Sequence, residues 1–440
     1  MKISTLLLSC ILSATAAFGQ TPCQTGRYAS DVYSTVNVTS DIQYGSNISF
    51  SGSTTSLTMD FYEPAADTSV ARPLIIWVHG GSFQGGTKTD VDVQELSNRF
   101  AKKGFACASI NYRLGFFPLD SVNAIKAVLR ATQDLKATIR FFYKDRATTN
   151  AYKIDTTRIF IGGSSAGAIT ALHVAYLDQA CEIQDYIGST DLNTLGGIEG
   201  ASGNPGYSTK VAGVINLCGA LGRYSWLEAG DIPLVSLHGT ADATVKYNRG
   251  TVTPFGVAIM YLDGSRMLIE RSCALNHPHK LYTFRGAPHV PYAGGGATQI
   301  AYMDTTVNFV RDFLVERLGC TNMALQPENV PSQTANLYPI NYCNGSPVNE
   351  VCILGLAENT AANEMILYPN PASSQVTIQC DSEGAKTISV IDISGRTVMS
   401  QEMNENGYTL SVRDLNKGTY FVHVLDHGNQ KALVKQLVIQ

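Results

Sequence analysis

Residues 158–167, RIFIGGSSAG, close an apolar run with Gly163-Ser164-Ser165-Ala166-Gly167 and lead directly into AITALHVAYL, a stretch of helical character. A serine with glycine two residues to either side, set between a strand and a helix, is a nucleophile elbow. The chain turns so sharply there that larger side chains would meet neighbouring backbone, and the central serine is pushed out at the C-terminal edge of a sheet. Such a hydroxyl can attack an acyl carbon once a base takes its proton. Ser165 occupies the central position, and Ser164 is one residue off it. Upstream, LIIWVHGGSF carries His79-Gly80-Gly81-Ser82 straight after an apolar run. Glycines in that place let backbone N–H groups turn toward a developing oxyanion, and donors fixed beforehand need no reorganisation when charge appears. Gly81 and Ser82 are the expected donors, with the N–H of Ala166 completing the oxyanion hole. His79 is expected to organise this loop rather than to transfer protons.

A serine nucleophile needs a base and an orienting acid, and behind an elbow of this kind they follow in the chain order acid, then histidine. PLVSLHGTADATVKY ends a strand candidate and presents Asp242 in a turn, which makes it the expected acid. His238 precedes that acid and is expected to be a buried strand-end histidine, and Asp263 a solvated turn residue after a short helix. For the base, His277, His279 and His289 lie between Asp242 and the end of the α/β pattern. His289 follows the strand candidate KLYTF, on the short loop at its C-terminal end, whereas His277 and His279 precede it and should fall at the opposite edge. Topology therefore selects His289.

The elements that must position these groups alternate along residues 56–318. Strand candidates at 74–79, 105–112, 158–163, 211–217, 233–239 and 280–284 are separated by helical stretches. In SVNAIKAVLRATQDLKATIRFFYKD the residues Ile125, Val128, Leu129, Thr132, Leu135, Ile139 and Phe142 recur every three or four positions, so one face is apolar, and 304–318 repeats the pattern. This is an α/β fold around a mainly parallel sheet flanked by helices. Taken together, HGGSF, NYRLGFF, GGSSAG, HGTAD and GAPHVPY resemble the carboxylesterase and lipase superfamily of α/β-hydrolases, over most of residues 56–318. NYRLGFF is similar to the type B carboxylesterases and their short bacterial relatives, although the elbow has Ser164 where type B enzymes usually carry glutamate. The resemblance implies ester hydrolysis through an acyl-enzyme on Ser165, with no cofactor and no metal. It leaves the ester open: small acyl esters, decorated polysaccharides and polyesters would all be cleaved by this machinery. The glycine-rich segment from Tyr186 to Lys210 is either a mobile cap loop or a surface connection.

The first nineteen residues place Lys2 before an apolar stretch and end in small residues, the pattern of a secretory signal peptide, with lipidation at Cys10 as a minor alternative. Export makes disulfides possible for the ten cysteines. Cys343 with Cys352 is the first expected pairing, and Cys181 with Cys218 and Cys273 with Cys320 are weaker ones. A catalytic domain over 20–323 is followed by a linker at 324–362, rich in Pro, Asn and Gln. From 363 to 440 the pattern becomes alternating strands, MILYPNP, SQVTIQC, KTISVIDISG, YTLSVRDL, GTYFVHVLD and LVKQLVIQ, suggesting a small antiparallel β-sandwich. LYPNP, the VIDISGR turn, LNKGTYFVHV and the final apolar strand resemble the C-terminal sorting domain of the type IX secretion system. That resemblance implies recognition by the secretion machinery and display at the outer-membrane surface or release.

Composition agrees with a folded, exported protein. Of 440 residues 44% are hydrophobic and 15% charged, and 32 basic against 36 acidic side chains leave a net charge of -4 with no basic stripe for nucleic acid. Beyond the N-terminus no apolar run reaches the ~18 residues of a membrane span, so the mature chain is expected to be soluble. Two other readings use the same residues: an α/β-hydrolase peptidase, and a non-catalytic surface adhesion or binding protein that has lost its nucleophile or base.

Overall fold

A computed structural model of the chain describes residues 22–320, 325–329, 340–341, 347–348, 365–380, 384–392, 396–426 and 432–440. The expected signal peptide, Cys10, the Cys343–Cys352 pairing and most of the 324–362 linker lie outside them. The described residues form two compact units, divided between Leu356 and Ala357.

In the first unit eight strands make one sheet. β1 (Val36–Ile48) and β2 (Thr54–Pro64) form an antiparallel hairpin at one edge. β2 pairs antiparallel with β4 (Ala106–Ile110), and β4 pairs parallel with β3 (Arg72–Val78). The parallel part continues through β5 (Ile154–Ser164), β6 (Gly213–Leu217), β8 (Leu234–Gly239) and β11 (His279–Phe284), giving the order β1-β2-β4-β3-β5-β6-β8-β11. β3, β4, β6 and β8 are buried along their whole length, as strands covered on both faces must be. A second sheet of three short strands joins β7 (Ala220–Leu221), β10 (Met260–Gly264) and β9 (Arg249–Val252). The helices are α1 (Val91–Lys102), α2 (Ser121–Ala147), α3 (Ala166–Tyr176), α4 (Ala180–Thr194), α5 (Ser265–Ala274) and α6 (Ala297–Arg317).

The six strand candidates of the α/β pattern correspond to β3, β4, β5, β6, β8 and β11. The sequence pattern missed the β1–β2 hairpin and the β9–β10 pair, which are half-exposed and so lack a continuous apolar run. Asp263 is a correction: it belongs to β10, is fully buried, binds Arg249 through both oxygens at 2.5 and 2.8 Å, and accepts the N–H of Tyr224 at 2.8 Å. Its flanking turn residues suggested exposure, while the arginine that neutralises it lies on the adjoining strand.

The Tyr186–Lys210 segment divides: its first part completes α4, and its glycine-rich part is tied to α2. Gln133 donates to the carbonyls of Leu195 and Gly197 at 2.9 and 2.6 Å, and Ser202 donates to Asp134 at 2.5 Å. The arginine of NYRLGFF anchors the same junction. Buried Arg113 pairs with buried Asp134 at 2.8 Å and also donates to Ile48 O, Gln133 Oε1 and Ser202 Oγ. Removing one partner of such a pair costs about 3–5 kcal/mol, because the other charge stays buried alone.

Two cysteine pairings are also corrected. Cys320 bonds to Cys23 across 297 residues of chain, and Cys218 is a buried free thiol. Cys181 and Cys273 are each disulfide-bonded.

The second unit is the expected antiparallel β-sandwich. Strands Ile366–Tyr368, Gln375–Gln379 and Gly407–Ser411 form one sheet, and Thr397–Met403, Lys386–Asp392, Gly418–Asp426 and Ala432–Ile439 the other. Val376, Ile378 and Leu410 from the first share a core with Ile388, Val422 and Leu437 from the second. Thr397–Met403 was not expected, since as an edge strand it is largely exposed and its sequence is polar. The asparagine of LYPNP fastens the start of the domain to its end: Asn370 donates to Gln436 O at 2.7 Å and accepts the N–H of Val438 at 2.9 Å.

Candidate active site

Ser165 sits where β5, central in the sheet, turns into α3. Its φ of 55° and ψ of -118° are outside the ordinary regions for a residue with a side chain, a strain tolerated where surrounding structure dictates it. The two flanking glycines are required by close approach. A Cβ on Gly163 would lie 2.4 Å from Val78 O, and one on Gly167 would lie 1.9 Å from the same oxygen. The turn is held by the Ser165 N–H donating to Leu217 O at 2.9 Å. Ser164 points inward: it is buried and its Oγ accepts the Tyr292 hydroxyl proton at 2.9 Å.

The loops after β8 and β11 are stitched together. Thr240 N–H donates to Phe284 O and Ala241 N–H to Ala287 O, both at 3.0 Å. They carry Asp242 and His289 to the C-terminal edge, beside Ser165. His289 Nε2 is 2.8 Å from Ser165 Oγ, and its Nδ1 is 2.6 Å from Asp242 Oδ2. With Nδ1–H donated to the carboxylate, Nε2 presents its lone pair to the serine hydroxyl. His277 and His279 lie at the other end of β11, with His277 Nε2 against Ile232 O at 2.9 Å and His279 Nδ1 against His277 O at 2.7 Å.

Asp242 is buried, which pushes its carboxyl up, but hydrogen bonds from His238 and His289 outweigh burial and hold it well below the usual carboxylate range. Its Oδ1 accepts the N–H groups of Thr244 and Val245, each at 2.9 Å. The local sequence did not foretell the second histidine. His238 is a buried strand-end residue, as expected, yet its Nε2 lies 3.1 Å from Asp242 Oδ2. The surrounding bonds define its tautomer. Asn216 accepts the Gly219 N–H through Oδ1 and therefore donates through Nδ2 to Ser265 Oγ at 2.9 Å. His238 Nε2 faces two acceptors, Val245 O at 3.0 Å and Asp242 Oδ2 at 3.1 Å, so it carries the hydrogen and shares it between them, and Ser265 Oγ donates to Nδ1 at 2.8 Å. The HG-x-x-D spacing of 238–242 is a signal that could have found this contact.

The HGG loop follows β3. Gly81, Ser82 and Phe83 have φ of 106°, 55° and 60°, three successive left-handed residues that reverse the chain. A Cβ on Gly81 would meet Gly85 O at 2.1 Å, so no other residue fits. His79 is fully buried, stacks on Tyr112 with ring centroids 4.4 Å apart, and places Nδ1 2.7 Å from Gly80 O. Ala166 is the first residue of α3, where the N–H has no carbonyl one turn earlier to bind. Cys218, Asp242 and His289 each bring one potential metal-ligand atom within 4.8 Å of the others. Burial pushes the Cys218 thiol up to about 12, so it stays protonated and is a poor ligand.

Comparison with known proteins follows these two units. Residues 59–253 match the BD-FAE family model, and residues 366–440 match the model described as the secretion system C-terminal sorting domain. The chain is similar to esterase-like α/β-hydrolases over residues 59–253. It ends in a type IX sorting domain, which directs it to the cell surface or the medium. Among the described residues no helix is long and apolar enough to cross a membrane.

Solved structures of esterase 2 from the planctomycete Thermogutta terrifontis are similar. The native form has 21% identity and a TM-score of 0.47, covering 64% of this chain and 93% of that one. The propionate-bound form has 22% identity and a TM-score of 0.48, covering 68% and 99%. An endo-acting ulvan lyase from Formosa agariphila is 30% identical over 89 residues, 19% of this chain, and the match spans only 17% of the lyase.

Proposed function

We propose that the first unit is a serine carboxylic-ester hydrolase, with Ser165 as nucleophile, His289 as general base and Asp242 as orienting acid. The observation that carries this reading is the unbroken hydrogen-bonded line from Ser165 through His289 to Asp242, at 2.8 and 2.6 Å, ending on a serine held outward by a strained elbow. Ser165 Oγ attacks the ester carbonyl as its proton passes to His289 Nε2. Asp242 stabilises the imidazolium, and the backbone N–H groups of Gly81, Ser82 and Ala166 receive the oxyanion. Collapse of the tetrahedral intermediate expels the alcohol, which takes the proton from His289. Water then repeats the sequence on the acyl-enzyme and releases the acid. The test is hydrolysis of p-nitrophenyl esters by the purified protein, and absence of turnover on every ester would overturn the reading.

Two expectations accompany it. His238→Phe removes the neutral donor on the far side of Asp242 and should lower kcat about tenfold, the value of one good hydrogen bond. The carboxylate then attracts the imidazolium more strongly, and the acid limb of the rate profile should move to higher pH. His238→Gln, which keeps a donor near the position of Nε2, should restore both. A lowered rate with an unmoved acid limb in the Phe variant would make His238 a packing residue only.

Removal of residues 363–440 should leave a soluble esterase with the kcat of the full chain, because the two units have separate hydrophobic cores. In a host with a type IX system the shortened protein should accumulate in the periplasm. Activity assays on cell fractions check both points.

A further inference from the structure

A cavity of about 500 Å³, counting its open mouth, begins at Ser165 and Ala166. Its walls come from α2 through Ala124 and Val128, from α3 through Ile169, and from the β9–β10 region through Val252, Met260 and Leu262. Among the described residues lining it, Ser82, Ser165 and Thr244 bring polar side chains. His289 does not line it. Since the leaving alcohol must take its proton from His289 Nε2, the alcohol half of an ester belongs on the histidine side, and the cavity receives the acyl half.

Behind the first cavity lies a second of about 400 Å³, reaching Ile183, Tyr186 and Trp226. Val128, Ile169, Met260 and Leu262 line both, so they form the partition between the two chambers. Among the described residues lining the second chamber, the histidine is His173, and it is uncharged at neutral pH. Burial holds the His173 imidazole down to about 4, and its Nδ1 donates to Ile169 O at 2.7 Å.

Resting on the ester-hydrolase reading, we infer that this cavity is an acyl-chain site selecting aliphatic acyl groups from butyryl to octanoyl over acetyl and over hydroxylated aromatic acyl groups, with Ile169 and Met260 as the residues that limit chain length. The apolar lining gains free energy for each methylene buried, equivalent to roughly fourfold in kcat/KM per methylene until the partition is reached. A phenolic hydroxyl pushed into the same space would find few partners and lose its water.

The experiment measures kcat/KM of the full chain on p-nitrophenyl acetate, butyrate, hexanoate, octanoate and dodecanoate, and on methyl cinnamate beside methyl ferulate. The expected result is a rise of at least tenfold from acetate to butyrate, a maximum by octanoate, and cinnamate preferred to ferulate by about tenfold. Met260→Trp, which fills the chain path, should lower the octanoate-to-acetate ratio at least tenfold. Ile169→Ala, which opens the partition, should move the maximum toward dodecanoate. Ratios are used because a partly unfolded variant lowers both rates equally. A flat chain-length series, a preference for ferulate, or ratios unmoved in both variants would overturn the acyl-site inference while leaving the esterase reading intact. No turnover on any ester would overturn both.

Discussion

Ser165→Ala is expected to reduce ester turnover by about five to six decades, the loss seen when the nucleophile of a hydrogen-bonded triad is removed. The protein should stay folded, since the side chain lost is one hydroxyl whose partner, His289 Nε2, is part-exposed and can bind water instead. Ser164→Ala should retain most activity. Its Oγ is buried under the elbow and accepts from Tyr292, so no ester carbonyl can approach it. A serine-directed phosphonate should label the peptide containing both residues, and fragmentation should place the adduct on Ser165. Labelling of Ser164, or labelling that survives Ser165→Ala, would remove the assignment.

His289→Ala should be nearly as severe, because among the described residues no other imidazole is bonded to Ser165. His277→Ala and His279→Ala should turn over at close to the full rate, as both rings bond backbone at the opposite end of β11. Asp242→Asn should cost roughly 10⁴-fold in kcat, since an amide can favour the wrong tautomer and cannot balance the imidazolium. The rate should fall on the acid side as His289 takes up a proton and loses the lone pair that serves as base. Asp242 does not contribute to that fall, because its carboxyl is held well below the usual carboxylate range. Circular dichroism and pH-rate profiles of the four variants check these points together. An inactive His277→Ala beside an active His289→Ala would exclude the line of hydrogen bonds as the catalytic one.

Short-range sterics explain how much of this was legible in the residues alone. A Cβ on Gly163 would meet Gly167 C at 2.6 Å, so part of the elbow's glycine spacing is written into the pentapeptide, although the carbonyl that crowds both glycines most, Val78 O, comes from neighbouring β3. The HGG loop is equally local, as the left-handed run at Gly81, Ser82 and Phe83 needs glycine at its start. Continuous apolar runs mark strands buried on both faces, and β3, β4, β6 and β8 were visible for that reason. Period after residue 363 gave a small antiparallel β-sandwich, and the sorting domain was legible through the resemblance carried by LYPNP, VIDISGR and LNKGTYFVHV.

Partners distant in the chain were not visible in this way. Asp263 looked solvated until Arg249 was found beside it, and Cys320 met Cys23 across 297 residues. β9 and β10 are short and half-exposed, yet with α2 and α3 they enclose the cavity next to Ser165. The sequence by itself determined the fold class and the glycine spacing around Ser165 and after His79, because these follow from periodic burial and from backbone crowding at sharp turns, and the sorting domain was legible through its motifs. Only the tertiary structure decided the hydrogen-bond distances among Ser165, His289 and Asp242, the approach of His238 to that carboxylate, and the shape of the cavity beside Ser165. These depend on where four separate loops and two helices arrive in space, which is set by packing of the whole sheet and by no local run of residues.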